Sequence, residues 1–488
     1  MLLEYDLDSF SNIYKDLDSS ALGVQLARLQ RKVKNLDIPV LVIIDGWESS
    51  GKGHVIKELI RELDPRSFKV SDFENSTDEE KARPFLWRFW NRIPRKGSIA
   101  IFDRSFYYKI MDRPKMDRSE LQKDIMDICS IEKMLYNSNM IIIKFFLHEK
   151  EKTQKRRIEE LINDRFRSFF VTNRDKEQNA DYKTYLKHFD MIMKLSDFPY
   201  SPWIIVNTED KGEAVKYVLG TAIDKIQAGI DRIMASKRNS VDFTSSYMTA
   251  TRPLSAVDLG ITLEEAAYKE KLKRLQEEAK NIAYELYEKR ISCVLVFEGM
   301  DAAGKGGAIQ RLTRLIDPRL YEVVPVSAPD ETEKQYHYLW RFIRNLPKSG
   351  NMAVFDRSWY GRVLVERVEG FAAPYEWEQA YEEINDMERH MHNFGTLVLK
   401  FFLCIDKAEQ LKRFKDREAE ADKLYKITEE DWRNREKWDS YLEAMNEMLV
   451  RTNTEYAPWI ILSGQDKKYA RIRVLEEFVR HGKQAINK

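Results

Sequence analysis

Short apolar runs alternate along the chain with longer segments in which apolar residues recur every three or four positions. The run at 40–44 is rich in β-branched residues, and the segment 55–63 after it has the apolar spacing of an amphipathic helix. The same pair recurs at 294–297 and 309–316. Further strand-like runs lie at 69–73, 99–102, 140–147, 203–206, 321–326, 352–355, 396–403 and 459–462. This alternation predicts an α/β fold in which parallel sheets are covered by helices on both faces.

The two halves of the chain repeat one another. GWESSGKG at 46–53 matches GMDAAGKG at 299–306, an offset of 253 positions. The same offset relates DPR at 64–66 and 317–319, LWRF at 86–89 and 339–342, and FDRS at 102–105 and 355–358. An offset of 256 relates KFFL at 144–147 and 400–403, and PWII at 202–205 and 458–461. Six matches in the same order indicate a tandem duplication.

The duplication defines the expected domains. A chain of 488 residues suits two ordinary cores. We predict an N-terminal repeat over 1–238 and a C-terminal repeat over 260–488. The segment 239–259 between them has several Ser and Thr residues, an Arg-Pro pair and little periodicity, which is typical of a linker.

Composition narrows the function classes. The 81 basic and 80 acidic residues nearly cancel, so the net charge of +1 gives no general attraction to nucleic acid or membranes. A polyanionic ligand would need a local basic groove. The acidic residues among the first ten argue against a signal peptide, and no apolar run is long enough to span a bilayer. Three widely spaced cysteines favour buried free thiols and a cytoplasmic location over a disulfide or zinc site.

The glycine-rich motif points to phosphate. A glycine loop between a strand and a helix directs backbone N–H groups to one point, and the helix dipole adds positive charge there. In the second copy Lys305 would add a full charge to phosphate oxygens. The other expected phosphate-binding positions in this loop are Gly299, Ala302, Ala303, Gly304, Gly306 and Gly307. Taken alone, the motif also fits a glycine turn with a surface lysine, but it stands twice between a strand and a helix.

One residue of the usual motif is missing. Gly306 stands where a Ser or Thr ordinarily ligates magnesium, so another oxygen must serve. Asp301 in the loop and Asp356 at the end of the neighbouring strand are the candidate Mg²⁺ ligands, although Asp356 could instead cap a helix. Arg357 and Arg362 follow, and their guanidinium groups could stabilise charge on a transferring phosphoryl group.

These residues together give a family resemblance. The chain resembles the polyphosphate kinase type 2 family, and within it the two-domain polyphosphate:AMP phosphotransferases. The motifs that carry the resemblance are GMDAAGKGG at 299–307, YLWRF at 338–342, FDRSWYGRVLVERVEG at 355–370, REKWDSY at 435–441 and TNTEYAPW at 452–459. The resemblance implies two tandem P-loop kinase-like domains, each with a helical lid. It also implies transfer of the terminal phosphate of inorganic polyphosphate to AMP, giving ADP, with Mg²⁺ in the cytoplasm.

The resemblance also implies roles for single residues. Asp301 and Asp356 would be the pair that binds the metal and orients the acceptor, and Lys305 would hold phosphates. Arg357 would contact the reacting groups, and Glu366 would help to order the site.

A charged lid follows position 403. Its expected contacts with the donor phosphates are Arg413, Arg417, Lys423 and Lys426. The segment 407–437 holds ten basic but also nine acidic residues, so a solvated pair of salt-bridged helices is an alternative interpretation. The aromatic residues Trp432, Trp438 and Tyr441 are more typical of core packing than of a base-stacking surface.

The two copies differ at the expected site. Glu48 replaces Asp301, and Arg113 stands where the second copy has Glu366. At the 256 offset, Leu161, Phe170 and Asn179 replace Arg417, Lys426 and Arg435. Fewer cations should weaken donor binding, which leads to the hypothesis that the first repeat is catalytically impaired. Lys52, Asp103 and Arg104 are retained, so weak activity stays an alternative.

Two other functions fit parts of the pattern. An ATP-dependent nucleotide monophosphate kinase, such as one like thymidylate kinase, combines a P-loop with an Asp-Arg motif on a strand. A non-catalytic polyphosphate or nucleotide sensor would fit the altered first repeat but not the complete second site. The fusion of two like domains also favours further association into a homo-oligomer.

Overall fold

The chain folds into two units, seen in a computed structural model that describes residues 1–238, 251–420, 427 and 429–487. Among these residues the first unit comprises 1–76, 88–238 and 334–337, and the second comprises 77–87, 251–333 and 338–487. Two short segments, 77–87 and 334–337, thus belong with the opposite half of the sequence, which the repeat did not predict. Most of the predicted linker, at 239–250, lies outside the described residues.

Five parallel strands form the sheet of the first unit, in the order β2-β3-β1-β4-β5. Their bounds are β1 (Val40–Gly46), β2 (Phe68–Asp72), β3 (Ile99–Asp103), β4 (Ile141–His148) and β5 (Trp203–Asn207). The strands of the second sheet are β6 (Cys293–Gly299), β7 (Tyr321–Pro325), β8 (Met352–Asp356), β9 (Leu397–Cys404) and β10 (Trp459–Ser463). Its order is β7-β8-β6-β9-β10, which is that of the first sheet. The predicted parallel α/β architecture and its duplication are confirmed.

Helices flank both sheets, and they include several single-turn elements. Up to the end of the first repeat they are α1 (Ser19–Asn35), α2 (Lys52–Ile60), α3 (Asp78–Lys81), α4 (Trp87–Trp90), α5 (Tyr108–Met111), α6 (Arg118–Asn137), α7 (Glu151–Ile162), α8 (Asn173–Ala180), α9 (Tyr182–Leu195) and α10 (Lys211–Arg238). The later helices are α11 (Glu265–Glu288), α12 (Lys305–Thr313), α13 (Trp340–Ile343), α14 (Val365–Val368), α15 (Pro374–Asn393), α16 (Lys407–Ala419), α17 (Glu429–Glu436), α18 (Trp438–Arg451) and α19 (Lys467–Ile486). None of the described helices is long and apolar enough to cross a bilayer.

The central strands are buried on both faces, as their continuous apolar runs require. In β6 the first six residues are buried, and Cys293 and Cys404 are buried free thiols, as predicted. The register places Phe297 of β6 beside Asp356 of β8. Ligands of open parallel sheets bind at the carboxyl ends of the strands, so this pairing brings Asp356 to the start of the glycine loop.

A buried polar network is hydrogen-bonded to Tyr360, which lies in the turn that follows Asp356. The Lys400 ammonium group on β9 donates to Glu388 at 2.8 Å, to the Tyr360 hydroxyl at 2.9 Å and to the Thr452 carbonyl at 2.7 Å. Glu388 and Lys400 are fully buried, and such a charge pair is tolerated only when each member is hydrogen-bonded. The network fixes Tyr360 and therefore the turn that carries the arginine of the FDRS motif.

Candidate active site

The turn between β6 and α12 has a backbone that few residues adopt. Gly299 has a φ of +137°, and a Cβ there would lie 2.1 Å from the Leu403 carbonyl oxygen. Gly304 at the start of α12 has a φ of +109°, and Ala302 also has a positive φ of 62°. The loop therefore turns sharply and ends at the N-terminus of a helix, where free N–H groups and the helix dipole favour an anion.

Lys305 lies across this loop. Its ammonium group donates to the carbonyl oxygens of Gly299 at 2.7 Å and Met300 at 3.2 Å. Within the described residues it forms no ion pair with a carboxylate. Its positive charge is therefore not neutralised at close range and is available to a phosphate.

Asp301 and Asp356 are the two carboxylates that the sequence predicted as metal ligands. A Cβ at Gly306 would be 3.9 Å from Oδ2 of Asp356, so the position of the missing hydroxyl is open beside that carboxylate. The side-chain carboxylate of Asp356 makes no hydrogen bond or ion pair with any described residue. Asp301 accepts hydrogen bonds from Arg357 at 3.2 Å and Asn434 at 3.0 Å. Two hard oxygen ligands completed by waters fit Mg²⁺, and the described residues hold no cluster of three or more ligating side chains.

Arg357 connects the loop to the lid. It has a positive φ of 64°, and its guanidinium group donates to Asp301 at 3.2 Å and to Glu430 of α17 at 3.3 Å. The side chain is 42% exposed, so it is positioned by two carboxylates but still reaches solvent. This is the placement of a cation that could meet charge developing on a phosphoryl group.

Sequence reasoning missed Glu298, the last residue before the loop. It is buried and accepts a hydrogen bond of 2.8 Å from the Ser358 hydroxyl, while burial raises its pKa. Because Ser358 follows Arg357, this bond ties the end of β6 to the arginine turn. The signal was present in the repeat, since Asp45 accepts the corresponding bond from Ser105 at 2.5 Å.

A cleft opens beside the loop. Small-molecule sites are typically concave and mostly apolar, with a few polar groups, and this cleft has both kinds of lining. Its polar lining includes Asp301, Arg357 and Glu430, and its apolar lining comes mainly from α14 and α18. The apolar side chains include Met300, Leu364, Val365, Trp438, Leu442 and Met445. Trp438 is half-buried and lines the cleft, so core packing was the wrong interpretation for it. Tyr441 also borders the cleft, but it is buried, as core packing predicts. Trp432 packs edge-on against Phe414 at 5.2 Å.

Arg362 and Glu366 lie away from the lining of this cleft. They form an ion pair at 2.9 Å, and the Arg362 guanidinium lies 4.4 Å from the centre of the Tyr338 ring. The contact of Arg362 with a transferring phosphoryl group stays a prediction, and so does the role of Glu366 in ordering the site.

Arg413 is buried beneath the loop. Only 4% of it is exposed, and it donates to the carbonyl oxygens of Ala302, Gly464 and Gln465 at 2.8–2.9 Å. Its fourth bond goes to Glu409 at 2.7 Å. These contacts assign Arg413 to the support of the loop, whereas the lid resemblance had placed it against the donor.

The first unit has the same support. Its Arg157 donates to the loop carbonyl of Ser50 at 3.1 Å and to the Thr208 carbonyl at 2.5 Å. A side chain that does the same work in both copies is part of the scaffold of the loop.

A basic cluster lies on the other side of α12. The Arg471 guanidinium of α19 is 3.3 Å from a Cβ built at Gly307, and Lys467 lies one turn earlier in α19. Neither side chain forms a hydrogen bond or ion pair within the described part of the chain. Desolvation and the positive charges of Arg413, Arg471 and Arg417 lower the pKa of Lys467. Unpaired cations beside an anion-binding loop are suited to a polyanion. They were missed because α19 lies about 160 positions beyond the motif.

The structure describes only two of the four predicted phosphate contacts in the lid. Lys423 and Lys426 lie outside the described residues, and Arg417 is partly buried on α16. The 256 offset nevertheless holds in the lid. Arg435 donates to the Lys407 carbonyl and to Gln410, and Asn179 makes the corresponding bonds to Glu151 and Gln154.

The loop of the first unit is occupied by its own side chains. Lys52 donates to Glu48 at 3.1 Å, and Glu48 also pairs with Arg104 at 3.4 Å. Burial opposes ionisation of Glu48, but these two cations outweigh it and lower its pKa. In addition, the Glu48 N–H donates to Gln178 at 2.9 Å, and the Ser49 hydroxyl donates to Asp175 at 2.6 Å. The loop lysine and one loop N–H group of the first unit are thus already used within the protein.

Arg104 and Asp103 of the first unit also differ in their surroundings from Arg357 and Asp356. Arg104 donates to Asp112, which stands where the second copy has Val365. Burial raises the pKa of Asp103 to about 6, so its carboxylate takes up a proton at a higher pH than an ordinary aspartate does. Both observations favour impairment of the first site.

The fold and loop define a tandem P-loop phosphotransferase, and comparison with known proteins gives the family. The family model described as Polyphosphate kinase 2 matches residues 12–232 and 262–488. A polyphosphate:AMP phosphotransferase of Pseudomonas aeruginosa is 38% identical over 475 residues, covering 96% of this chain and 95% of the relative. One of Acinetobacter johnsonii is 33% identical over 472 residues, covering 95% and 94%. A solved structure described as a polyphosphate kinase 2 from Pseudomonas aeruginosa PA01 has a TM-score of 0.86 at 37% identity and covers 98% and 97% of the two chains. The chain belongs to the polyphosphate kinase 2 family.

Proposed function

We propose that the second unit transfers the terminal phosphoryl group of inorganic polyphosphate to AMP, giving ADP. One observation carries this assignment: an anion-binding loop with an unneutralised Lys305 has a basic cluster near one end and a partly apolar cleft at the other. The relatives that span nearly the whole chain are named polyphosphate:AMP phosphotransferases, which supports the choice of donor and acceptor.

The donor is assigned to the loop. The N–H groups at the start of α12 and Lys305 would bind the terminal phosphates of the donor. The rest of the polyphosphate would extend past Gly307 to Arg471 and Lys467. Arg357 would meet the charge that develops on the phosphoryl group between donor and acceptor. No covalent intermediate is needed, because phosphoryl transfer depends on positioning and charge neutralisation.

Mg²⁺ is the proposed cofactor, held by Asp301 and Asp356. When bound it would supply positive charge to phosphate oxygens. The open position at Gly306 and the unpartnered carboxylate of Asp356 support this choice. The Asp301 carboxylate is already oriented by Arg357 and Asn434.

The first unit is proposed to be catalytically impaired, with its bounds at 1–238 and those of the catalytic repeat at 260–488. Its occupied loop supports a role as a packing partner or a polyphosphate-binding surface. A cytoplasmic location agrees with the buried thiols of Cys293 and Cys404, which form no disulfide.

A matrix of donors and acceptors tests the proposed function. Purified protein is given long-chain polyphosphate, ATP or GTP with AMP, GMP or ADP, and the nucleotide products are separated by chromatography. We expect polyphosphate with AMP and Mg²⁺ to give ADP at the highest rate. Transfer from ATP but not from polyphosphate would instead identify an ATP-dependent monophosphate kinase. Binding without turnover would identify a sensor.

A further inference from the structure

The apolar side of the cleft in the second unit has a counterpart in the first. The two offsets established by the repeat pair Met300 with Trp47, Trp438 with Tyr182, and Met445 with Phe189. The three residues of the second unit line the cleft. Their partners in the first unit are all buried, and Trp47 contacts both of the others.

In the first unit the indole ring of Trp47 fills the space that corresponds to this side of the cleft. The Trp47 indole is 0% exposed and stacks on the Tyr182 ring, with centroids 4.1 Å apart and planes 7° apart. Phe189 meets it edge-on at 4.9 Å, and the indole N–H donates to His148 at 2.9 Å. The surroundings therefore offer a flat ring one stacking face, one aromatic edge and one hydrogen bond, which is how proteins hold aromatic ligands.

In the second unit the side chain that would fill this space is smaller and turned aside. Met300 is 6% exposed, and its sulfur accepts a hydrogen bond of 3.4 Å from the backbone N–H of Ile405. Trp438 stands where Tyr182 stacks on the indole, and it faces a cleft instead. The same cleft contains Asp301 and Arg357, so a flat ring seated on Trp438 could carry a phosphate toward the proposed reaction centre.

We propose that the base of the acceptor nucleotide stacks on Trp438 in the second unit, and that Trp47 occupies the equivalent place in the first. This inference rests on the proposed function for the identity of the acceptor, but its geometry comes from the paired aromatic contacts. If the inference holds, the Trp47 side chain blocks the base-binding position of the first unit. This steric obstacle is independent of the neutralisation of Lys52. Met300 and Trp438 thus become determinants of acceptor binding.

Adenosine is the probe for this site, because it has the base but no phosphate. We measure its dissociation constant by calorimetry on the full chain and the KM for AMP in the polyphosphate reaction. Met300→Trp should transplant the indole into the second unit and weaken adenosine binding about tenfold or more, with KM for AMP raised alongside. Met300→Leu, a change that nearly conserves volume, is the matched control and should stay within about threefold of wild type.

A second pair of variants covers the case in which Met300→Trp does not fold. Trp438→Leu should weaken adenosine binding about tenfold, which is the usual loss when an aromatic stacking partner of a base is removed, and Trp438→Phe should recover most of it. Tyr182→Leu in the first unit should leave adenosine binding unchanged. Folding of each variant is checked by its melting temperature.

The outcomes separate the inference from the proposed function. A folded Met300→Trp or Trp438→Leu variant that binds adenosine as wild type does would overturn the inference, and so would wild-type protein that does not bind adenosine. Wild-type protein that forms no ADP from polyphosphate and AMP would overturn the proposed function, whatever its affinity for adenosine.

Discussion

Lys305→Ala is expected to lower the rate of ADP formation from polyphosphate and AMP at least about 100-fold, while Lys52→Ala changes it less than twofold. The reason is that Lys305 keeps an unneutralised ammonium group on the loop, whereas Lys52 is paired with Glu48 at 3.1 Å. Initial rates measured with excess Mg²⁺ and both substrates near saturation report the difference.

These two variants control for one another. Both remove a lysine at the first position of a helix, α12 in one case and α2 in the other, so a general effect on helix starts would appear in both. Equal losses of activity would contradict the division of labour between the units. A loss confined to Lys52→Ala would reverse it.

Asp356→Asn is expected to lower activity about 100-fold at limiting Mg²⁺ and to raise the Mg²⁺ concentration needed for half-maximal rate. Its carboxylate faces the open position at Gly306 and has no partner among the described side chains, so an amide there removes a charged ligand without breaking a contact. Rates over a series of Mg²⁺ concentrations provide the measurement.

Asp103→Asn in the first unit is the matched control, and we expect its Mg²⁺ dependence to equal that of wild type. Asp103 belongs to the unit whose loop lysine, Lys52, is already paired with Glu48, so its carboxylate is not expected to hold a metal ion used in transfer. An Asp356→Asn variant with unchanged Mg²⁺ dependence would remove Asp356 from the proposed metal site.

The sequence predicted the fold well because its strongest signals are local or repeated. Continuous apolar runs located the buried parallel strands, and the glycine motif located the turn whose backbone needs Gly299 at a φ of +137°. The register of Asp356 beside the start of the loop followed from the rule for parallel sheets.

The site was harder to predict from the sequence, because its side chains come from elements that are far apart along the chain. Arg471 reaches the loop from α19, and no spacing pattern connects them. Trp438 has the spacing of a core residue on an amphipathic helix, and only the shape of the cleft distinguishes the two roles. Arg413 looked like a cation of the lid, but burial and three backbone carbonyls assign it to the scaffold.

The central claim is that the loop at 299–306 grips polyphosphate during transfer, and a crystal soaked with medium-chain polyphosphate and Mg²⁺ tests it most directly. The account predicts phosphate density in that loop, within hydrogen-bonding distance of the Lys305 ammonium group, and none in the loop at 46–53. Density for the donor elsewhere on the chain, with the second loop unoccupied, would contradict the account.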